Sequence, residues 1–147
     1  MVKSRSGFLV TYANCPLLWS SKMQTEVALS TTEAEYIALS QALREIISLM
    51  ALMKEMGENN IKLPSDTTSL KCTVFEDNSG ALEMAQTPKM RPRTKYIAVK
   101  YHHFRSHVAD GSIKLVKVPT NDQLADIFTK GLTLEQFTHL RKKIVGW

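Results

Sequence analysis

The sequence predicts an α/β domain in which a mixed sheet is flanked by helices, and three observations carry that prediction. Four short stretches are rich in β-branched, aromatic or alternating apolar residues, whereas five others carry helical periodicity or capping signals. Their order is β β α β α α β α α, with a hairpin first and no strict βαβ alternation. The length of 147 residues, 44% hydrophobic and 22% charged, suits one ordinary globular domain over residues 1–147 with enough apolar material for a core.

Residues 7–12 (GFLVTY) and 16–22 (PLLWSSK) read as two strands joined across the turn-forming Ala13-Asn14-Cys15-Pro16. A long helix follows from Ser30 to Met56, with Gly57 placed as its C′ residue. The polar loop through Pro64-Ser65-Asp66 leads to a strand over Leu70–Glu76, and Asp77-Asn78-Ser79-Gly80 then opens a short helix over 81–86. Thr87-Pro88 and Arg91-Pro92 mark a basic loop. Ile97, Tyr101, Phe104 and Val108 form a helical stripe within 94–109, ended by Asp110-Gly111. Residues 112–118 (SIKLVKV) alternate as a half-buried strand closed by Pro119. Capping patterns at Thr120–Gln123 and Thr133–Gln136 open two last helices. The first runs to Lys130 with Leu124, Ile127 and Phe128 apolar and Asp126 off their stripe; the second turns Leu134, Phe137, Leu140 and Ile144 inward.

The long helix contains the first chemical signal. Steps of three and four from Glu35 give Ala38, Leu39, Ala42, Ile46, Leu49, Met50 and Met53, so a carboxylate heads the buried face. Nearby Glu33 is explained by a capping box, with Ser30 as N-cap and Glu33 reaching back to the Ser30 N–H. Glu35 has no such role. A carboxylate on an apolar stripe must be neutralised, paired or bound to a cation.

Composition narrows the class further. The longest apolar run is short of the roughly 20 residues a membrane span needs, and MVKSRSGF has no apolar core of a signal sequence, so an intracellular protein without membrane insertion is expected. Cys15 and Cys72 share no CxxC or Cys/His spacing and read as buried thiols. The net charge is +5, and between Lys89 and Lys117 eight Lys or Arg stand against one acid, Asp110. That block, interleaved with Tyr96, Tyr101, Phe104 and three histidines, suits either a polyanion such as nucleic acid or a plain solvated face. Arg93, Lys95, Lys100 and Arg105 are its candidate contacts. His103 and His107 share a helix face, but no HExxH or third ligand accompanies them, so a zinc site is not supported.

Glu35 at a helix start, Asp77 at a strand end and Asp126 on a late helix are three acids on three elements of a basic chain. Oxygen-only ligand sets select hard cations, and Mg²⁺ takes one or two carboxylates per ion while leaving room for water and phosphate. Asp77 has an ordinary alternative as a helix cap, which Asn78 or Ser79 would fill equally well.

At these residues the chain resembles the ribonuclease H domain of Ty1/copia-type retrotransposon Pol polyproteins. The matching stretches are SRSGF (4–8), LSTTEAEYIALS (29–40), EDNSGALEMA (76–85), RTK (93–95) and PTNDQLADIFTKGL (119–132), in the family's order. The resemblance implies an RNase H-like fold, a two-ion Mg²⁺ site, and hydrolysis of the RNA strand of RNA–DNA hybrids. It implies Glu35, Asp77 and Asp126 as metal-binding and catalytic acids, the upstream reverse transcriptase region as a neighbour in the polyprotein, and the cytoplasm, nucleus or a virus-like particle as location. An integrase of the same superfamily would need a glutamate well after Asp77, and none lies between Glu83 and Glu135.

Two departures qualify the resemblance. Family members carry a further essential aspartate on a first strand upstream of SRSGF, central in the sheet between the hairpin and the strand ending at Asp77; here the first acid is Glu26. RTKYI also stands where RTKHI is usual, with Tyr96 in place of the histidine. The expected domain is therefore partial, N-terminally truncated, and short of one metal ligand. Two functions follow as alternatives: an RNase H nuclease completed by an upstream strand, or a catalytically inactive nucleic-acid-binding remnant of a transposon gene.

Overall fold

The computed structural model describes residues 3–64, 66–67, 69–87, 97 and 99–147. Arg5–Tyr12 (β1) and Cys15–Met23 (β2) form the expected antiparallel hairpin. Its turn residues Ala13 and Asn14 have φ of 51° and 61°, the doubly left-handed geometry that matches the strand twist. Val10 faces Leu18 while Thr11 faces Pro16, so Leu17 is an extra residue in β2. A bulge and a proline are both tolerated there because β2 is an edge strand.

Thr31–Glu58 (α1) is the longest element. Ser30 Oγ accepts the Glu33 N–H at 3.1 Å, as a cap should, but the Glu33 carboxylate accepts from the Leu29 N–H at 3.0 Å and not from Ser30. The helix also outruns its expected end: Asn59 is the C-cap and Asn60 takes the left-handed conformation at φ 62°. Gly57 is needed for a different reason, since a Cβ there would lie 1.9 Å from Thr67 Oγ1. By length and composition α1 would pass for a membrane span. Its apolar side is instead the spine of the core.

That side is broader than the expected stripe. Leu39, Ala42, Ile46 and Met53 are buried, while Ala38, Leu49 and Met50 are half-buried. A second row, Tyr36, Ile37, Ser40 and Leu43, is buried as deeply or more so. Against it pack Cys72–Glu76 (β3), Ser79–Gln86 (α2) and Ile113–Lys117 (β4), with Ile97, Tyr101 and Phe104. β3 and β4 are parallel, with Val74 opposite Leu115.

The region expected as one helix from 94 to 109 is split, in its described part, into a 3-10 turn at Val99–Tyr101 and a short helix, Arg105–Ala109 (α3). Four consecutive residues explain the break. Tyr101 and Phe104 are buried in the core, and His102 and His103 hydrogen-bond to Tyr36 and Ser40 of α1. A continuous α-helix cannot turn four successive side chains to one side. The expected helix over 120–130 is likewise two 3-10 turns, Thr120–Asp122 and Leu124–Phe128, because Gln123 uses its side chain to bond the Ala125 N–H and the Phe75 carbonyl. Leu134–Val145 (α4) begins at the Thr133 cap as expected, but only Leu140 is fully buried, and Leu134 and Phe137 are exposed. Cys15 sits exposed beside the hairpin turn and Cys72 is half-buried; both are free thiols.

Among the described residues the strand pairings are thus mixed, one antiparallel and one parallel, in two two-stranded sheets with four α-helices, an α/β arrangement compatible with an RNase H-like fold. Among the described residues, β1 and β3 each have one strand partner only. Both line a single cavity of about 570 Å³, floored by Ala38, Leu39, Ala42 and Ile46 of α1. This slot lies where the resemblance puts the central first strand.

Candidate metal centre

The acids gather at one end of the slot. Glu35 points from the second turn of α1, Glu76 is the last residue of β3, Asp77 follows it, and Asp126 belongs to the second 3-10 turn; all four line the cavity. Carboxylate oxygens of Glu35, Glu76 and Asp77 lie within 4.8 Å of one another. Asp126 stands outside that tight group, yet it is buried, and its charge acts on Glu35.

Local chemistry explains how each acid is held. Asn78, not Asp77, caps α2, its side chain accepting the Ala81 N–H at 2.9 Å. Asp77 is thereby left free of the capping role. Lys117, opposite Glu76 on β4, donates to the Asp77 carbonyl at 2.7 Å and also bonds Ser79, fixing the main chain at the strand end. Gln24, buried beneath the hairpin, donates to Ser6 and to the Ala34 carbonyl, tying β1 to the turn of α1 that carries Glu35.

Two glycines from the matching stretches set close approaches between these elements. A Cβ on Gly80 would meet Thr32 Cγ2 at 2.8 Å, so only glycine lets the start of α2 lie on the start of α1. A Cβ on Gly7 would meet Thr129 Cγ2 at 2.5 Å and Phe128 Cβ at 3.0 Å. Gly7 therefore allows the turn bearing Asp126 to sit on β1.

The electrostatics are those of crowded carboxylates. Burial, with Asp77 and Asp126 nearby, raises the Glu35 pKa against the opposing pull of Lys130. Glu76 is only 6% exposed; burial pushes its pKa up to about 8, helped by Glu35 and Asp77 and opposed by the Asn78 N–H that bonds its carboxylate. Burial also raises Asp126, against the Lys130 ammonium 3.0 Å away. Such sites favour whatever compensates their negative charge, and an oxygen-only set suits a hard divalent cation.

The structure thus brings Glu35 and Asp77 together with Asp126 beside them, and adds Glu76, which the sequence reading passed over. Strand parity was the available signal: β3 alternates, so Glu76 shares the inward face of Cys72 and Val74. Asp126, expected off the apolar stripe, is the most buried residue of its turn.

The basic candidates fare differently. Lys100 is exposed and forms an ion pair with Glu26. Arg105 donates to the Thr87 carbonyl and keeps one guanidinium nitrogen buried, which gives it a packing role. Arg93 and Lys95, with Tyr96, lie outside the described residues.

Comparison with known proteins gives the chain its context. Over 144 residues it is 37% identical to the retrovirus-related Pol polyprotein from transposon TNT 1-94 of Nicotiana tabacum, covering 98% of this chain and 10% of that protein. It is 35% identical over 141 residues to the Pol polyprotein from transposon RE1 of Arabidopsis thaliana, covering 96% of this chain and 9% of the relative. The Gag-Pol polyprotein of transposon Ty1-DR1 from Saccharomyces cerevisiae matches at 25% over 114 residues, covering 78% of this chain and 6% of the relative. The chain spans about a tenth of the length of the curated relatives it matches. No family model and no solved structure matches it. Along nearly its whole length, the chain is homologous to one segment of the Pol polyproteins of copia- and Ty1-type transposons.

Proposed function

We propose that this chain is the RNase H domain of a transposon Pol polyprotein, cutting the RNA strand of RNA–DNA hybrids with divalent magnesium. The observation that carries this reading is the convergence of Glu35, Glu76 and Asp77 within 4.8 Å, with buried Asp126 beside them. Glu35, Asp77 and Asp126 are the proposed ligands, and Glu76 supports them as a fourth acid. Magnesium held by these acids would supply activation of a water and neutralisation of charge developing on the phosphodiester. The chain's own residues do the positioning: Asn78 orients Glu76, Lys117 pins the main chain of Asp77, and Gly7 and Gly80 let their elements close around the centre.

In this reading an extended strand from the preceding part of the polyprotein fills the slot. It would pair with β1 on one side and β3 on the other and bring the further aspartate that the resemblance implies. The open slot favours a second reading for the chain by itself: a nucleic-acid-binding remnant without turnover, with Lys100 and the basic residues around it as contacts.

One experiment separates the two. The chain is incubated with Mg²⁺ and a labelled RNA–DNA hybrid beside Glu35→Gln and Asp77→Asn, and hybrid binding is followed across salt. Weak cleavage that both substitutions abolish is the expected result. Cleavage no greater than that of the variants removes the nuclease reading for this chain. Binding that does not weaken between roughly 50 and 200 mM salt removes the nucleic-acid reading too, because phosphate contacts release counterions.

A further inference from the structure

Asp126 is buried beside a cation. The main-chain N–H groups of Thr129 and Lys130 both bond to the Asp126 carbonyl at 3.1 Å, closing a turn that brings the Lys130 side chain back over the acid. Its ammonium donates to Asp126 Oδ2 at 3.0 Å. The two partners are unequal: the Asp126 side chain is 11% exposed and that of Lys130 is 47% exposed. One member is fixed inside, and the other has an open way out.

Lys130 also lines the cavity that holds Glu35, Glu76 and Asp77. The other lysines nearby are committed elsewhere, Lys117 to the Asp77 carbonyl and Ser79, and Lys143 to Asp122. Partial burial pulls the Lys130 pKa down, but Asp126, Asp77 and Glu35 together raise it. Its charge is therefore shared across the acid cluster and not confined to one partner.

We propose that Lys130 is the built-in counter-ion of this centre: it holds Asp126 while no metal is bound, and a divalent cation arriving at Asp126 displaces it toward solvent. This rests on the metal-centre reading above. An ammonium carries only donors and cannot ligate a cation, and at contact distance its charge repels one. Lys130 and a cation therefore compete for the charge of the Asp126 carboxylate, whose Oδ2 the ammonium holds. The four-carbon stem of lysine is flexible enough to swing the charge away without moving the main chain.

The consequence has opposite signs in two measurements, which a purely structural lysine would not produce. Neutralising Lys130 removes a competitor, so metal affinity rises; it also leaves crowded carboxylates uncompensated, so the metal-free protein melts earlier. A lysine that merely braced the turn would, on removal, loosen Asp126 and weaken both.

The test titrates the full chain with Mn²⁺, reading free metal by electron paramagnetic resonance, and records melting with and without Mn²⁺. Lys130→Met and Lys130→Gln are the neutral variants, the second keeping a hydrogen-bond donor for Asp126. Lys130→Arg retains the charge, and the exposed Lys114→Met is the control. Both neutral variants are expected to bind Mn²⁺ about fivefold more tightly and to melt earlier than wild type only when metal is absent. Lys130→Arg and Lys114→Met are expected to show no tightening. Wild-type binding with neutral variants that bind equally or more weakly overturns the proposal alone. So does tightening in Lys130→Arg. Wild-type protein that binds no Mn²⁺ overturns this proposal and the metal-centre reading together.

Discussion

The two flanks of α1 are built to different standards. On one, Tyr36, Leu43 and Phe104 have no exposed surface, and α1 is bound to the chain around Phe104 by two hydrogen bonds: the Tyr36 hydroxyl meets His102 Nδ1 at 2.6 Å, and His103 bonds the Ser40 carbonyl. On the other, Glu35 and Ala38 are half-buried and face a slot between two strand edges. The packed flank holds the molecule together. The slot flank carries the acids, where crowded charges oppose folding. The first side is closed and largely apolar, and the second is open and crowded with like charges.

Truncation of the packed flank should have the largest effect. Phe104→Ala should cost about 3–5 kcal/mol, the range for a large aromatic removed from a closed core. Val10→Ala, on the slot wall, should cost about 1 kcal/mol, because Val10 is only half-buried and borders an open cavity. Urea unfolding of both variants measures the contrast. Equal losses would mean that the slot is as well packed as the core, and the division proposed between the flanks would fail.

The next effect is electrostatic and belongs to the slot flank alone. Glu76 has its pKa pushed up to about 8 in the folded chain, against an ordinary 4.5. Below 4.5 the carboxyl is protonated in both states and does not oppose folding. As pH rises toward 8 the unfolded chain ionises first, so stability is lost across that window, by on the order of 5 kcal/mol. Glu76→Gln should remove most of this slope in metal-free buffer. Saturating Mg²⁺ should flatten it in the wild-type chain, since a bound cation favours the ionised form. Thermal melts from pH 4.5 to 8.5 with and without metal read both; a slope that Glu76→Gln leaves intact would place the titrating group elsewhere.

How much of this was legible in sequence follows the same division. The hairpin, the Ser30 cap of α1 and the alternation of β4 were legible because each is set by residues close in the chain. Glu35 was legible because a carboxylate on an apolar stripe breaks the pattern. Glu76 has only strand parity to mark it, which puts it on the face of Val74. The stretch containing Tyr101–Phe104 departs from its helical periodicity because its backbone is decided by α1, to which four successive residues turn. Asp126 was placed off its stripe by a period of 3.6, but its turn is 3-10, with about three residues per turn, and its burial depends on the closeness of β1. The slot itself is a tertiary fact: no local pattern in β1 or β3 says which edge finds a partner.

The smallest predicted effect concerns the contact by which β1 positions Asp126. In Gly7→Ala the new methyl would fall 2.5 Å from Thr129 Cγ2, which can rotate away, and 3.0 Å from Phe128 Cβ, which cannot do so without moving the 3-10 turn. Glycine in a strand is itself unfavourable by roughly 0.5–1 kcal/mol relative to alanine, and the substitution recovers that. Overpacking costs about 1–3 kcal/mol, so the net loss should be about 1 kcal/mol. The slot should feel it more than the core does. Moving Phe128 shifts Asp126, two residues earlier, so Mn²⁺ affinity should fall while the packed flank keeps its resistance to urea. Gly131→Ala is the matched control, because nothing lies within 4 Å of its added Cβ. If Gly7→Ala lowers stability but binds Mn²⁺ as tightly as wild type, the close approach serves packing alone, and Asp126 is positioned by some other contact.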